Sequence, residues 1–591
     1  MFCLMVDATK IFFPYESIRN IQDEFMSGII EALEKKTDLI VHAPTGLGKT
    51  VGALAPVVKF AIENELTILF LTSRHTQHKL AVDTSKEIIE RFDLDISVTD
   101  LIGKKWMCAQ SGVVSMYSGE FNDYCKKLKD DMLCEFYNNT YLKNKLSPLA
   151  KQKLKELGIG CHTDEMVKKC ADDKLCPYEI TFSSASKSKI IVADYYYVFH
   201  PKISELFFKR TDLDPAKCIV IVDEAHNLPF RIRDLASSRL TTTMIKRAIK
   251  EAKKFGYEET IENLNIVQNA INNQTENLIQ NQEKPVDKAR FMSSITKEIP
   301  YERLIADIDF IADSVREKQR QSYIGSIASF LEEWKGPSRG FSRYIEQKNI
   351  KGQSVVILHN TCLDASVVAK PVLESLYLTI MMSGTLMPTQ MYSDLMGFEK
   401  TLQRSYKSPF PQRNRLSMII PKTTTKFSAR SETQYKRIAQ ECSKIINRVP
   451  GNSFIFFPSY IMRDNVNKYF SDMSEKTVFL ERSDMTKEDR EYVLENIKGY
   501  KEIGSVLLGV ASGSFSEGID MPGDLLRCVI VVGLPLSQPD YETKELIKYY
   551  DEKFGKGWDY GYIFPAFNKS IQSAGRCIRS DTDKGIVAFI D

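Results

Sequence analysis

Short unbroken runs of apolar residues alternate with stretches of helical periodicity along this chain, and the runs fall into two series. The first reads Asp38–His42 (DLIVH), Thr67–Leu71 (TILFL), Lys189–Asp194 (KIIVAD), Cys218–Asp223 (CIVIVD) and Leu378–Gly384 (LTIMMSG). The second reads Asn452–Phe457, Lys476–Leu480, Ser505–Val510, Cys528–Gly533 and Gly585–Ile590. Continuous rather than alternating apolar strands belong in sheets buried on both faces. The pattern therefore predicts an α/β protein with two doubly wound parallel-sheet domains.

Two interruptions split the first series. Residues 101–178 show few strand signals and many cysteines. Residues 240–352 are rich in Lys, Glu, Asn and Gln with helical periodicity, as in MIKRAIKEAKKF and YERLIADIDFIADSVREK. The bland reading makes both insertions surface decoration. On this division the first sheet domain comprises residues 1–100, 179–239 and 353–400, and the second comprises 401–591.

Composition adds limits. At 591 residues the chain is too long for one ordinary core. A net charge of +3 neither suggests nor excludes a polyanionic partner. No run approaches the roughly 18 apolar residues of a membrane span, and Met1–Lys10 lacks a basic segment followed by an apolar core. A soluble, intracellular (cytoplasmic) protein with no membrane partner is expected. Six of the twelve cysteines (Cys108, Cys125, Cys134, Cys161, Cys170, Cys176) fall within 69 residues, where an even spread would put roughly one or two. In a reducing compartment a metal or metal–sulfur site is the better expectation than disulfides.

The chemistry is concentrated at strand ends. After the first strand comes Ala43-Pro44-Thr45-Gly46-Leu47-Gly48-Lys49-Thr50, a phosphate-binding loop in a strand–loop–helix context. Its backbone N–H groups and the following helix N-terminus favour phosphate. Lys49 would reach the β- and γ-phosphates of ATP and Thr50 would ligate Mg²⁺. Asp223-Glu224-Ala225-His226 follows another buried strand, where Asp223 would hold Mg²⁺ through water and Glu224 would activate the attacking water. Either acid alone is weak evidence; paired with the loop the signal is strong. Charge developing on the γ-phosphate calls for cations from the opposite face. Gln572, Arg576 and Arg579 would share one face if the segment is helical.

These segments resemble the motifs of superfamily 2 helicases, most closely the iron–sulfur branch typified by the XPD (xeroderma pigmentosum group D) helicase. Phe13-Pro14-Tyr15 with Arg19 and Gln22 resembles that branch's adenine-reading segment. Leu71–Thr76, Ser383–Leu386 and Gly513–Asp520 resemble further motifs in the family's order. The resemblance implies two RecA-like motor domains, with an iron–sulfur cluster insertion (101–178) and a helical arch (240–352) in the first. It implies that Thr72 and Arg74 lie on the strand-binding side, that Ser383 and Thr385 couple nucleotide to motion, and that Gly518 and Asp520 contact nucleotide. It also implies a 4Fe–4S cluster on Cys108, Cys125, Cys134 and Cys176, with Cys170 the competitor for the fourth position. Zinc is the chemical alternative, although its usual close cysteine pairs are missing from this stretch.

The resemblance further implies an ATP-dependent DNA helicase in DNA repair, working as a monomer on single-stranded, fork or overhang DNA and moving 5′ to 3′. Relatives usually continue beyond the last predicted strand with a basic tail. A DEAH-type RNA helicase and a scaffold subunit with a vestigial motor are the alternatives. Intact Lys49, Glu224, Arg576 and Arg579 weigh against the second.

Overall fold

A computed structural model describes residues 6, 11–116, 118–275, 278, 280–318, 322–516, 521, 523–536 and 539–591. The first sheet has seven parallel strands in the order Leu402–Ser405, Leu39–His42, Leu378–Ser383, Cys218–Asp223, Thr67–Leu71, Ile190–Ala193 and Val98–Leu101. Successive side chains of one strand enter two different cores. Ile68 and Phe70 join the residues of one face, Leu69 and Leu71 those of the other. That double burial is why the runs read as continuous.

The second sheet has six parallel strands in the order Arg415–Ile420, Gly585–Ile590, Cys528–Val532, Ser453–Phe457, Ser505–Val510 and Thr477–Leu480. Ile455 and Phe457 face one core, Phe454 and Phe456 the other. The expected class, two parallel-sheet motor domains, is the architecture found.

Three strands of these two sheets lie outside the predicted series: Val98–Leu101, Leu402–Ser405 and Arg415–Ile420. Each sits at a sheet edge, where strands carry polar residues and weaken the apolar signal. Leu402–Ser405 pairs with Leu39–His42, so the first sheet extends past residue 400.

The stretch expected as a helical arch is helical only in part. Helices Thr242–Phe255, Glu258–Gln274, Lys288–Thr296, Tyr301–Lys318 and Tyr323–Trp334 rest on a four-stranded antiparallel sheet, order Ser238–Thr241, Gln353–Cys362, Phe341–Ile350, Glu283–Pro285. Its long hairpin turns on Lys351 (φ 52°) and Gly352 (φ 80°), the positive-φ pair that a two-residue hairpin loop requires. Gln353–Cys362 therefore belongs to this sheet, and the motor sheet resumes at Leu378 rather than at 353.

The helix Tyr541–Phe554 comes from the second half of the chain, yet its Leu546 and Tyr550, with Tyr560 of the turn beyond it, are buried in a core of the first sheet. Tyr549 and Lys553 bind the Asp364 carboxylate at 2.6 and 2.8 Å. The Tyr541 N–H donates to Glu283 at the arch base, 2.8 Å.

At the start of the first strand, Asp38 accepts the Thr379 N–H at 2.7 Å, and burial pushes its carboxyl up to about 6. A folded-state value above the unfolded 3.8 means that stability is full below pH 4 and is lost as pH rises through 6. Asp38→Asn should keep an acceptor for Thr379 and remove this loss. Its melting temperature should exceed the wild type's at pH 8 and converge with it near pH 4.

Candidate active site

The strand Leu39–His42 delivers the loop 43–48, and the helix Lys49–Glu63 begins directly beyond it. Gly46 and Gly48 adopt φ of 89° and 74°, which side-chain-bearing residues rarely reach. Space is short as well as conformation. A Cβ on Gly46 would strike the ring of Phe410, and one on Gly48 would strike the Gln22 amide. Arg19 donates to the Gly46 carbonyl (3.0 Å) and Gln22 to that of Gly48 (3.3 Å). The N-terminal segment thus fastens the loop from outside.

A cavity of about 520 Å³ opens over the loop. Thr45, Gly46, Gly48, Lys49, Thr50, Asp223 and Glu224 line one end, and Phe13, Tyr15, Arg19 and Gln22 line another part of it. The aromatic pair meets edge to face at 5.7 Å. Ala43, Pro44 and Leu47 do not line the cavity; the side chains of Ala43 and Leu47 are fully buried in the core and support the loop.

Asp223 and Glu224 part company because Glu224 takes a left-handed conformation (φ 50°), an uncommon state for a residue with a Cβ. The Tyr195 hydroxyl holds that turn, donating to the carbonyls of Asp223 (2.5 Å) and Glu224 (3.2 Å). Asp223 Oδ1 is buried without a hydrogen-bond partner. An orphaned carboxylate oxygen in the cavity that Thr50 also lines is the donor set a hard cation such as Mg²⁺ takes. Burial and the neighbouring Glu224 push the Asp223 carboxyl up to about 6. Burial opposes ionisation of Glu224 too, but the His226 hydrogen bond and the Lys49 charge outweigh it and hold the group well below the carboxylate range. Glu224 is therefore the more readily ionised member of the pair.

His226, which the sequence reading left without a role, joins the two halves of the chain. The Gln572 amide lies 2.6 Å from His226 Nε2 and donates to Thr385 Oγ1 at 3.0 Å. With Nε2 accepting, the Nδ1 proton points to Ser383 Oγ (2.7 Å), whose hydroxyl donates to Glu224 Oε2 (3.1 Å). Ser383, Thr385 and Gln572 thus gather beside His226, with Ser383 reaching the Glu224 carboxylate.

Other expected residues lie elsewhere. The helix Phe564–Ala574 ends at Gly575, so Arg576 and Arg579 follow it instead of sharing a helical face with Gln572. Asp583 accepts the N–H groups of Arg579 and Ser580 (2.8 and 2.9 Å) and fixes the turn. Arg576 Nε donates to the Ser516 carbonyl at 3.1 Å, and neither arginine lines the cavity. Thr72 is fully buried, with its hydroxyl given to Gln77 at 2.5 Å. Arg74 lies close enough for its charge to help lower Glu224. Gly518 and Asp520 fall outside the described residues.

The cysteine-rich insertion is mainly helical, with Ser118–Asp130, Glu135–Thr140, Pro148–Glu156 and Thr163–Asp172 and one short antiparallel hairpin, Tyr141–Leu142 with Lys145–Leu146. Cys108 lies within electrostatic reach of Cys125 and Cys134, and Cys176 within reach of Cys125. The Gln110 amide approaches Cys134 Sγ at 3.8 Å. Cys161 and Cys170 are buried in the first core instead, with Cys170 Sγ 3.7 Å from Met166 Sδ. The four-thiol set is right in kind for an iron–sulfur cluster. Among the described residues, however, no three His, Cys, Asp or Glu side chains converge closely enough to hold a metal ion. No described helix is long and apolar enough to cross a membrane.

Known proteins agree with this geometry. Residues 54–245 match the DEAD_2 family and residues 442–591 the Helicase C-terminal domain family. The chain is 26% identical to the ATP-dependent DNA helicase XPD of Sulfolobus acidocaldarius, over 97% of this chain and 96% of that protein. It is 24% identical to the general transcription and DNA repair factor IIH helicase subunit XPD/RAD3 of Saccharomyces cerevisiae, over 99% and 87%. A solved XPD helicase superposes with a TM-score of 0.67 at 23% identity, covering 98% of this chain and 96% of that one. Matched along 54–245 and 442–591 by these two families and similar to XPD helicases over nearly its whole length, the chain belongs to the XPD family of helicases.

Proposed function

We propose that this protein is an ATP-dependent DNA helicase of DNA repair, which hydrolyses ATP to move along a single strand and part a duplex. The observation that carries this reading is the hydrogen-bonded path from Gln572 in the second half, through His226 and Ser383, to Glu224 in the first. Such a path lets the carboxylate that activates water sense the position of the other half.

In this mechanism the loop amides and Lys49 hold the phosphates of ATP, while Phe13 and Tyr15 flank the base. Thr50 and Asp223 would hold Mg²⁺, which offsets charge on the β- and γ-phosphates. Glu224 takes a proton from water as the water attacks the γ-phosphate in line, and ADP leaves. Closure of the two halves would bring Arg576 and Arg579 to the developing charge. Cys108, Cys125, Cys134 and Cys176 would hold a 4Fe–4S cluster that ties the insertion together. The family resemblance supports 5′ to 3′ movement by a monomer.

The test compares ATP-driven unwinding of DNA with 5′ or 3′ overhangs and of matched RNA duplexes. Single-stranded DNA should stimulate ATP hydrolysis, DNA with a 5′ overhang should be opened, and DNA affinity should fall steeply with salt as phosphate contacts release counterions. Unwinding of RNA but not DNA, or an affinity flat in salt, would overturn the reading.

Cys134→Ser tests the insertion. It should lose iron and the visible iron–sulfur absorption, because a small metal-held unit folds around its metal. Unwinding should collapse while DNA-stimulated ATP hydrolysis survives in part, since no insertion cysteine lines the nucleotide cavity. Normal unwinding by the variant would make the insertion decoration, and wild-type protein carrying zinc without iron would remove the cluster.

A further inference from the structure

A buried histidine that the mechanism above does not use stands midway between the catalytic carboxylate and the cysteine-rich insertion. His78 and Asp100 are 2% and 1% exposed. His78 Nδ1 lies 2.6 Å from Asp100 Oδ1, and Nε2 lies 3.2 Å from the Thr72 carbonyl. Both ring nitrogens face oxygens, so the ring is held from two sides, by the Asp100 carboxylate and the Thr72 carbonyl.

The pair has connections on either side. Toward the active site, the Thr72 hydroxyl donates to Gln77 Oε1 (2.5 Å), and the Gln77 amide donates to Glu224 Oε1 (3.3 Å). Gln77 also lines the nucleotide cavity. Away from it, Asp100 Oδ2 accepts the Thr163 N–H (2.9 Å) and hydroxyl (2.7 Å). Thr163 opens the helix Thr163–Asp172, so the carboxylate also meets the positive end of the helix dipole. That helix is rooted in the first core by Met166 and Cys170. Every link from Glu224 to the insertion is thus a hydrogen bond or a shared residue.

We propose that Gln77 positions the Glu224 carboxylate for ATP hydrolysis, and that the His78–Asp100 pair ties this setting to the insertion through Thr163. Glu224 then receives two inputs on separate oxygens. Oε2 is held from the second motor half through Ser383, and Oε1 from the insertion side through Gln77. A strand engaged by the insertion would shift the Thr163 helix, and the shift would reach Gln77. Gln77 and His78 are positioning residues here, acting through Glu224.

The proposal rests on the helicase reading, and a double-mutant cycle in the full-length protein tests it. DNA-stimulated kcat and KM for ATP are measured for wild type, Gln77→Leu, Thr163→Val and the double variant, with melting curves as a control. Gln77→Leu should lower kcat about tenfold with KM within about twofold. Thr163→Val, which removes one hydroxyl at constant shape, should lower kcat about threefold. The double variant should be no slower than Gln77→Leu alone. Should Thr163→Val unfold the insertion, His78→Asn replaces it in the cycle. That change keeps a donor toward Asp100 and cuts the link to Thr72, and the same non-additivity is expected.

A Gln77→Leu protein with kcat within twofold of wild type would overturn the proposal. So would losses that multiply in the double variant, because they would make the two ends independent. A wild-type protein that DNA does not stimulate would instead overturn the helicase reading itself, which separates the two failures.

Discussion

Replacing Arg576 and Arg579 together by alanine lowers the turnover number by roughly 10³–10⁵, the worth of arginine stabilisation in phosphoryl transfer, while ATP affinity changes less than about tenfold. The asymmetry follows from position. Neither arginine lines the nucleotide cavity, and Arg576 is engaged with the Ser516 carbonyl. Groups that approach the γ-phosphate only when the halves close contribute to the transition state and little to the resting complex. Single-turnover rates and ATP titrations of the double variant decide the matter. Equal losses in affinity and rate would mark the two as ordinary phosphate contacts.

Glu224→Gln lowers turnover by roughly 10²–10⁴, the usual worth of a general base, with ATP binding preserved. The amide fits the same space and can still meet Ser383 and Gln77, but it cannot take a proton from water. Charge is the variable, since burial disfavours the anion while the His226 bond and nearby cations favour it. His226→Ala should produce a smaller loss of rate together with a loss of DNA stimulation, because it cuts the path to Gln572. A Glu224→Gln protein that turns over ATP within a few-fold of wild type would remove this residue from the chemistry.

The parts of this molecule that were legible in advance are those with a repeating physical cause. Nine central strand runs could be read because they lie inside their sheets with neighbours on both sides, and the edge run Thr477–Leu480 because its residues are mostly apolar all the same. The phosphate loop could be read because its glycines answer a local need, as the Phe410 ring over Gly46 and the Gln22 amide over Gly48 make plain. Edge strands such as Leu402–Ser405 were lost because one side lacks a neighbour and polar residues enter. The arch-base hairpin was lost to its charged surroundings, although Lys351-Gly352 is a two-residue turn signal.

Side-chain direction was the other loss. The motif resemblance placed Thr72 but not the direction of its hydroxyl, which turns to Gln77. The roles of Gln77, His78 and His226 depend on partners 147, 22 and 346 positions away in the chain, a distance over which spacing carries no signal. The choice between Cys170 and Cys176 was likewise one of direction. The structure turns Cys170 into the core beside Met166 and leaves Cys176 on the side of Cys125.

The helix Tyr541–Phe554 bears on how this protein can be divided. Leu546, Tyr550 and Tyr560 fill a core whose walls come mostly from the first half of the chain. Expressing residues up to about 410 alone would leave that socket open and greasy, and a fragment starting there would carry three large side chains with nowhere to go. A single backbone cut between the sheets would not release two pieces, because they remain clasped through this helix. Besides the covalent crossing between its halves and the polar bridge from Gln572, the chain has this apolar one, which no boundary drawn on the sequence reveals.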